Sequence, residues 1–93
     1  MALHLLASIN SESVARCHAS LSEADSLLLL ADGVYALQSE DIFADLSAVT
    51  NKIFVLAEDL HCRLPHLEPS ISVIDYVQWV QLSITSAPVV SWY

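Results

Sequence analysis

Ser26-Leu27-Leu28-Leu29-Leu30-Ala31, followed at once by Asp32-Gly33, is the stretch that decides the fold. The run has the length of a strand and is apolar on nearly every position. A strand wetted on one face would alternate instead, so this one suits a strand covered on both faces, as in a parallel sheet. Asp32-Gly33 breaks it. Gly33, the only glycine in the chain, permits a left-handed turn off the strand end and Asp32 supports such a turn. An acidic residue at a strand's C-terminal end also invites an active-site reading, but the turn accounts for it more simply.

Outward from this strand the chain alternates. Toward the N-terminus, Ala2–Ala7 reads as a first strand on Leu3, Leu5 and Leu6. Asn10 or Ser11 caps a helix running to about Leu21, with Glu12 in its first turn and Val14, Cys17 and Leu21 on one face. Ser22–Asp25 is a turn. Toward the C-terminus, Val34–Gln38 reads as a short helical turn. Ser39 then caps a helix that buries Ile42, Phe43, Leu46 and Val49. Lys52–Leu56 is a third strand, and Glu58–Leu64 is a short helix stopped by Pro65. Ile71–Ile74 is a fourth strand. Asp75 caps a helix carrying Val77, Val80 and Ile84 at i, i+3 and i+7, and Val89–Tyr93 is an apolar strand or tail. The expectation is one small α/β domain over residues 1–93, a mostly parallel sheet of four to five strands flanked by helices.

Composition narrows the function classes. The chain is 55% hydrophobic, above the roughly 45–50% of soluble domains, yet a domain this small buries only about 60–65% of its unfolded surface. Partner subunits would give the surplus apolar area somewhere to go. No apolar run approaches the roughly 18–20 residues that span a bilayer, and Met1–Leu6 lacks the features of a signal peptide. The expected setting is therefore cytoplasmic, with no membrane contact. Eleven acidic residues against Arg16, Lys52 and Arg63 give a net charge of −8. That surface opposes direct nucleic-acid binding, which depends on cations neutralising phosphates.

The chemistry-bearing residues are few. No cofactor motif is present, because a single glycine cannot build a phosphate-cradling loop. Cys17 and Cys62 form no CxxC pair, and His61-Cys62 with His66 falls short of the four ligands of a structural zinc site. No metal is expected. In a reducing cytoplasm both thiols stay free. A phospho-receiver domain, also small, acidic and α/β, needs an acidic cluster and a late lysine. The only lysine, Lys52, opens the third strand instead.

Several segments together resemble one family. Leu3-His4-Leu5 and then Leu29-Leu30-Ala31-Asp32-Gly33-Val34-Tyr35 are similar to the opening of the DsrH/TusB family. Ile53-Phe54-Val55-Leu56-Ala57-Glu58-Asp59-Leu60 with Arg63 matches its middle. Ile74-Asp75-Tyr76, Val80, Leu82 and Ser91-Trp92 match its close. Two places depart from the family's pattern. Ser8-Ile9-Asn10 stands where a Ser-Pro-aromatic step is common, and Leu64 follows Arg63 where glycine is common.

The resemblance implies a DsrE-like fold and an accessory subunit of a sulfur-relay heterohexamer, with DsrE-like and DsrF-like (TusD/TusC-type) partners. Such complexes pass persulfide sulfur, in the TusBCD version toward 2-thiolation of the tRNA wobble uridine and in the DsrEFH version in sulfur oxidation. The main acceptor cysteine belongs to a partner. Cys17 lies where many such chains carry a cysteine and is the candidate persulfide carrier here, with a buried packing thiol as the favoured alternative. Tyr35, Trp79, Trp92 and Tyr93 are the interface candidates, since aromatics combine large area with a polar tip.

Overall fold

Strand and helix alternate from end to end. The elements are β1 (Leu3–Leu6), α1 (Ser11–Ser20), β2 (Ser26–Leu29), a 3₁₀ helix (Ala31–Gln38), α2 (Glu40–Val49), β3 (Ile53–Leu56), α3 (Ala57–Arg63), β4 (Ser72–Ile74), α4 (Tyr76–Thr85) and β5 (Val89–Trp92). The computed structural model describes all 93 residues. The five strands form one sheet in the order β4-β3-β2-β1-β5, and every neighbouring pair is parallel. β1 is paired on both sides: Leu3 pairs with Ser26 of β2 on one side and Val89 of β5 on the other.

Right-handed crossovers decide where the helices go. The chain walks outward from β1 to β4 and places α1, the 3₁₀ helix, α2 and α3 over one face. It then returns past the whole sheet to β5 and must cross on the opposite face, where α4 lies alone. The core divides accordingly. The first face holds a cluster that includes Leu6, Cys17, Leu27, Leu29, Val34, Leu46, Val55 and Leu60, and the second holds only Leu3, Leu28, Leu56 and Ile74 with Trp79 and Leu82 against them. Successive residues of β2 alternate between the clusters, which is why it is apolar at every step.

The caps form on the residues the sequence marks. Asn10 accepts from the Glu12 N–H at 2.9 Å, and Ser39 from the Ile42 N–H at 3.4 Å. Asp75 and Gln78 exchange side-chain-to-backbone bonds of 2.8 and 2.9 Å in a capping box.

Two expectations need correction. The left-handed residue after β2 is Ala31 (φ 48°), not Gly33. The Ala31 N–H donates to Asp59 Oδ2 at 2.7 Å, which offsets part of the cost of that conformation. Glycine is needed at 33 for a different reason: a Cβ there would sit 1.9 Å from the Leu6 carbonyl oxygen. The second correction concerns α4. Val77, Val80 and Ile84 do share a stripe, but they are 65%, 57% and 77% exposed. Trp79 and Leu82 make the sheet contact instead.

Candidate functional site

Cys17 sits on the inner face of α1 and is fully buried, packed in the cluster with Leu6, Leu21 and Val34. Burial pushes its thiol up from an ordinary value of 9.0 to about 11. Arg16 and His18, its sequence neighbours, are exposed, and Arg16 pairs with Glu12 at 2.6 Å rather than with the sulfur. Nothing therefore favours the thiolate at position 17 in this conformation. The exposed thiol is Cys62, on the outer side of α3. No group of three or more His, Cys, Asp or Glu residues is placed to hold a metal ion.

The aromatic candidates divide between packing and solvent. Tyr35 is half-buried on the 3₁₀ helix against the larger cluster. Trp79 is half-buried under α4, its ring centroid 5.8 Å from that of the 45%-exposed Tyr76. Tyr93 is 83% exposed, although its carbonyl accepts a hydrogen bond from Ser13. Trp92 is half-buried against the larger cluster and belongs to a polar network that was not foreseen from the sequence.

That network begins at His4, 3% exposed in β1. Trp92 Nε1–H donates to His4 Nδ1 at 3.0 Å, with the ring planes within 11° of parallel. The ring proton is thereby placed on Nε2, which donates to Asp25 Oδ2 at 3.0 Å. Asp25 also accepts from the Ala2 and Ser22 N–H groups, at 2.9 and 3.0 Å. Burial alone would raise the Asp25 carboxyl, but these hydrogen bonds outweigh it and hold it well below the usual carboxylate range. Both imidazole nitrogens are occupied, so His4 has no free position for proton transfer. The network ties β5, β1 and the turn before β2 together. The sequence signal was slight: a histidine among leucines, and an acid directly before a strand.

The C-terminal ends of parallel strands are the usual place for a ligand in α/β sheets. Here that edge is occupied by charge pairing. Arg63 meets Asp32 at 3.1 Å and Asp59 at 3.5 Å, beside the strained Ala31. The largest depression, about 870 Å³, lies instead among Ser22, Glu23, Ser47, Thr50, Asn51 and Lys52, and it gathers neither thiol nor histidine.

A fold this general needs a closer match before a function can be attached to it. The family model described as "DsrH like protein" matches residues 7–89. The chain is a member of the DsrH family. Among curated proteins it is similar to Protein TusB of Pectobacterium parmentieri, with 34% identity over 76 residues covering 78% of this chain and 80% of that protein. It is also similar to Protein TusB of Shigella dysenteriae serotype 1, with 35% identity over 75 residues covering 77% and 79%. Among solved structures, the solution NMR structure of Protein Tm0979 from Thermotoga maritima superposes with a TM-score of 0.64, covering 88% of this chain and 90% of that one. At 21% identity this last likeness speaks for the fold alone. The DsrH match spans every element that carries Cys17, Asp25 and Arg63.

Proposed function

We propose that this chain is an accessory, non-catalytic subunit of a sulfur-relay assembly that passes persulfide sulfur in the cytoplasm. We favour 2-thiolation of the tRNA wobble uridine as its end point. Membership in the DsrH family supports the relay, and the TusB relatives favour tRNA over the sulfur-oxidation alternative. The observation that carries the accessory role is Cys17: a carrier must present a thiolate, and this thiol is wholly buried with its pKa near 11. DsrE-like and DsrF-like subunits of a heterohexamer are the proposed partners, with the acceptor cysteine on one of them. Contact with tRNA would then be made by those partners, because a net charge of −8 opposes phosphate binding.

The test is persulfide loading of the complex co-expressed with its DsrE-like partners, followed by mass spectrometry of every cysteine. It is paired with a tRNA-thiolation assay on Cys17→Ser and Cys62→Ser. The expected result is persulfide on a partner cysteine, with thiolation retained in both variants. Stoichiometric persulfide on Cys17, with thiolation abolished in an intact Cys17→Ser complex, would make this chain a carrier. The same pattern at Cys62 would move the carrier to α3.

A further inference from the structure

Leu3 and Leu5 of β1 turn to the α4 side of the sheet and Leu6 to the other, so strand alternation puts His4 beside Leu6, on the face that α1 covers. There it lies between β2 and β5 with both ring nitrogens engaged. Nε2–H donates to Asp25 Oδ2 and Nδ1 accepts from Trp92 Nε1–H, each at 3.0 Å. A second ring proton can go only on Nδ1, where the indole proton already points. An imidazolium has two donors and no acceptor. Protonation of His4 and the Trp92 hydrogen bond therefore exclude each other.

We infer that His4, Asp25 and Trp92 form a proton-operated latch, in which uptake of one proton by His4 releases the Trp92 indole and loosens the end of β5 against α1 while the sheet stays paired.

Charge sets the direction of the exchange. With a neutral ring the network buries one net negative charge, the Asp25 carboxylate. A proton on His4 cancels it. The Nε2–H bond to Asp25 then becomes charge-assisted, roughly twice as strong as the neutral bond given up at Nδ1. No other charge competes. Glu12, Arg16 and His18 of α1 are exposed, as are Met1, Glu23 and Lys52, while β2 and β5 carry no charged residue. The inward groups of α1 are Ser13 and Cys17, and burial keeps the thiol neutral, its pKa about 11. From the end of α2, Thr50 Oγ1 donates to the Asp25 carbonyl at 2.8 Å and brings no charge.

Geometry decides which partner moves. His4 has a strand on each side, and Asp25 is held by the Ala2 and Ser22 N–H groups. Trp92 is half-buried on the edge strand, with no strand beyond it. Its backbone pairing with Leu6 does not involve the indole, so the ring can turn out while β5 stays in register. Tyr93, whose carbonyl accepts from Ser13 of α1, is the neighbour that loosens with it. Attraction of a cation to the indole face does not oppose release. The two rings lie edge to edge, their planes within 11° and their centroids 6.1 Å apart, so the indole presents its positive edge to the imidazolium.

The inference does not depend on the sulfur-relay reading. Its test is an NMR pH titration of the purified full chain that follows the His4 ring and the Trp92 indole N–H together. The exposed His18 and His66 and the indole of Trp79 serve as references. The two signals are expected to change with one midpoint, and protection of the Trp92 indole N–H from solvent exchange to fall at least about tenfold across it. The β1–β4 amides should keep their shifts. Trp92→Phe removes the opposing donor, so His4 should bind its proton about fivefold more tightly, a rise of roughly 0.7 of a pH unit in its midpoint. Asp25→Asn should move the midpoint the other way. An indole N–H that keeps its shift and protection while the His4 ring titrates overturns the latch. So does a midpoint that Trp92→Phe leaves in place, and so does a ring that stays neutral until the whole chain unfolds.

Discussion

The two faces of this sheet are both lined by apolar strand residues and end in different states. On one, three α-helices and a 3₁₀ helix enclose Leu6, Cys17, Leu29 and Val55 so that none of the four is exposed. On the other, a single uncharged helix leaves Val77, Val80 and Ile84 more than half exposed. Hydrophobicity thus states how much surface seeks cover, while chain connectivity decides which part of it this chain can cover itself. Three outward crossovers and one return give one finished face and one unfinished face.

The sharpest way to break the finished face is Gly33→Ala. Its added Cβ meets a backbone carbonyl rather than a movable side chain, so a loss of more than about 4 kcal/mol is expected. Urea unfolding should show either no folded protein or a steeply lowered midpoint. Leu29→Ala, at a residue of zero exposure, should cost about 3 kcal/mol by the same measurement. The matched truncation on the other face, Ile84→Ala, should cost under about 0.5 kcal/mol. Equal costs would mean that α4 is packed as fully as its counterparts.

Asp25 tests whether the polar network belongs to the finished face. Asp25→Asn should cost on the order of 2 kcal/mol at neutral pH, because the buried donors lose a charged acceptor. The pH dependence has a definite sign. The folded carboxyl is held below its ordinary range, so at acid pH the unfolded chain takes up a proton that the folded one refuses. Stability is therefore full above about pH 5 and falls progressively as pH drops through about 4 and below. The asparagine variant should show a shallower acid limb in pH-dependent melting.

Cys17 gives a smaller effect of opposite sense. Its folded pKa is raised from 9.0 to about 11, so above pH 9 the unfolded chain loses a proton that the folded chain keeps. Stability then declines between pH 9 and 11. Cys17→Ser should remove that part of the alkaline decline while costing about 1 kcal/mol at neutral pH for a hydroxyl in an apolar site. An unchanged alkaline limb would mean that the thiol reaches solvent in the folded protein.

These contrasts also mark what was legible in the residues. Element order followed from the leucine run of β2, the caps at Asn10, Ser39 and Asp75, and the stop at Pro65, because each is a local signal. The burial of Cys17 followed from its helical spacing with Val14 and Leu21. The same spacing argument located the stripe on α4 and could not say which way it faces. Tyr76–Thr85 gathers Gln78, Gln81 and Thr85 on one narrow side. The broad apolar arc that remains holds Trp79 and Leu82 as well as Val77, Val80 and Ile84, and periodicity alone does not select its inner edge. Ala31 and Gly33 exchanged roles because the decisive contact, the Leu6 carbonyl, comes from a strand more than twenty residues away. The network of His4, Asp25 and Trp92 escaped notice for the same reason: it lies in a meeting of distant residues.

The position of β5 has a consequence for how the molecule is made. Trp92 and His4 bond across 88 residues of sequence, and β1 obtains its second neighbour only when Val89–Trp92 arrives. During synthesis β1 therefore waits beside β2 with one backbone edge open, an edge that invites wrong pairing. Contacts of such sequence separation are slow to form. Released chains truncated before Val89 should accordingly hold β1 through β4 in a loosely closed, chaperone-sensitive state, and the presence of Val89–Trp92 should convert it to the native sheet.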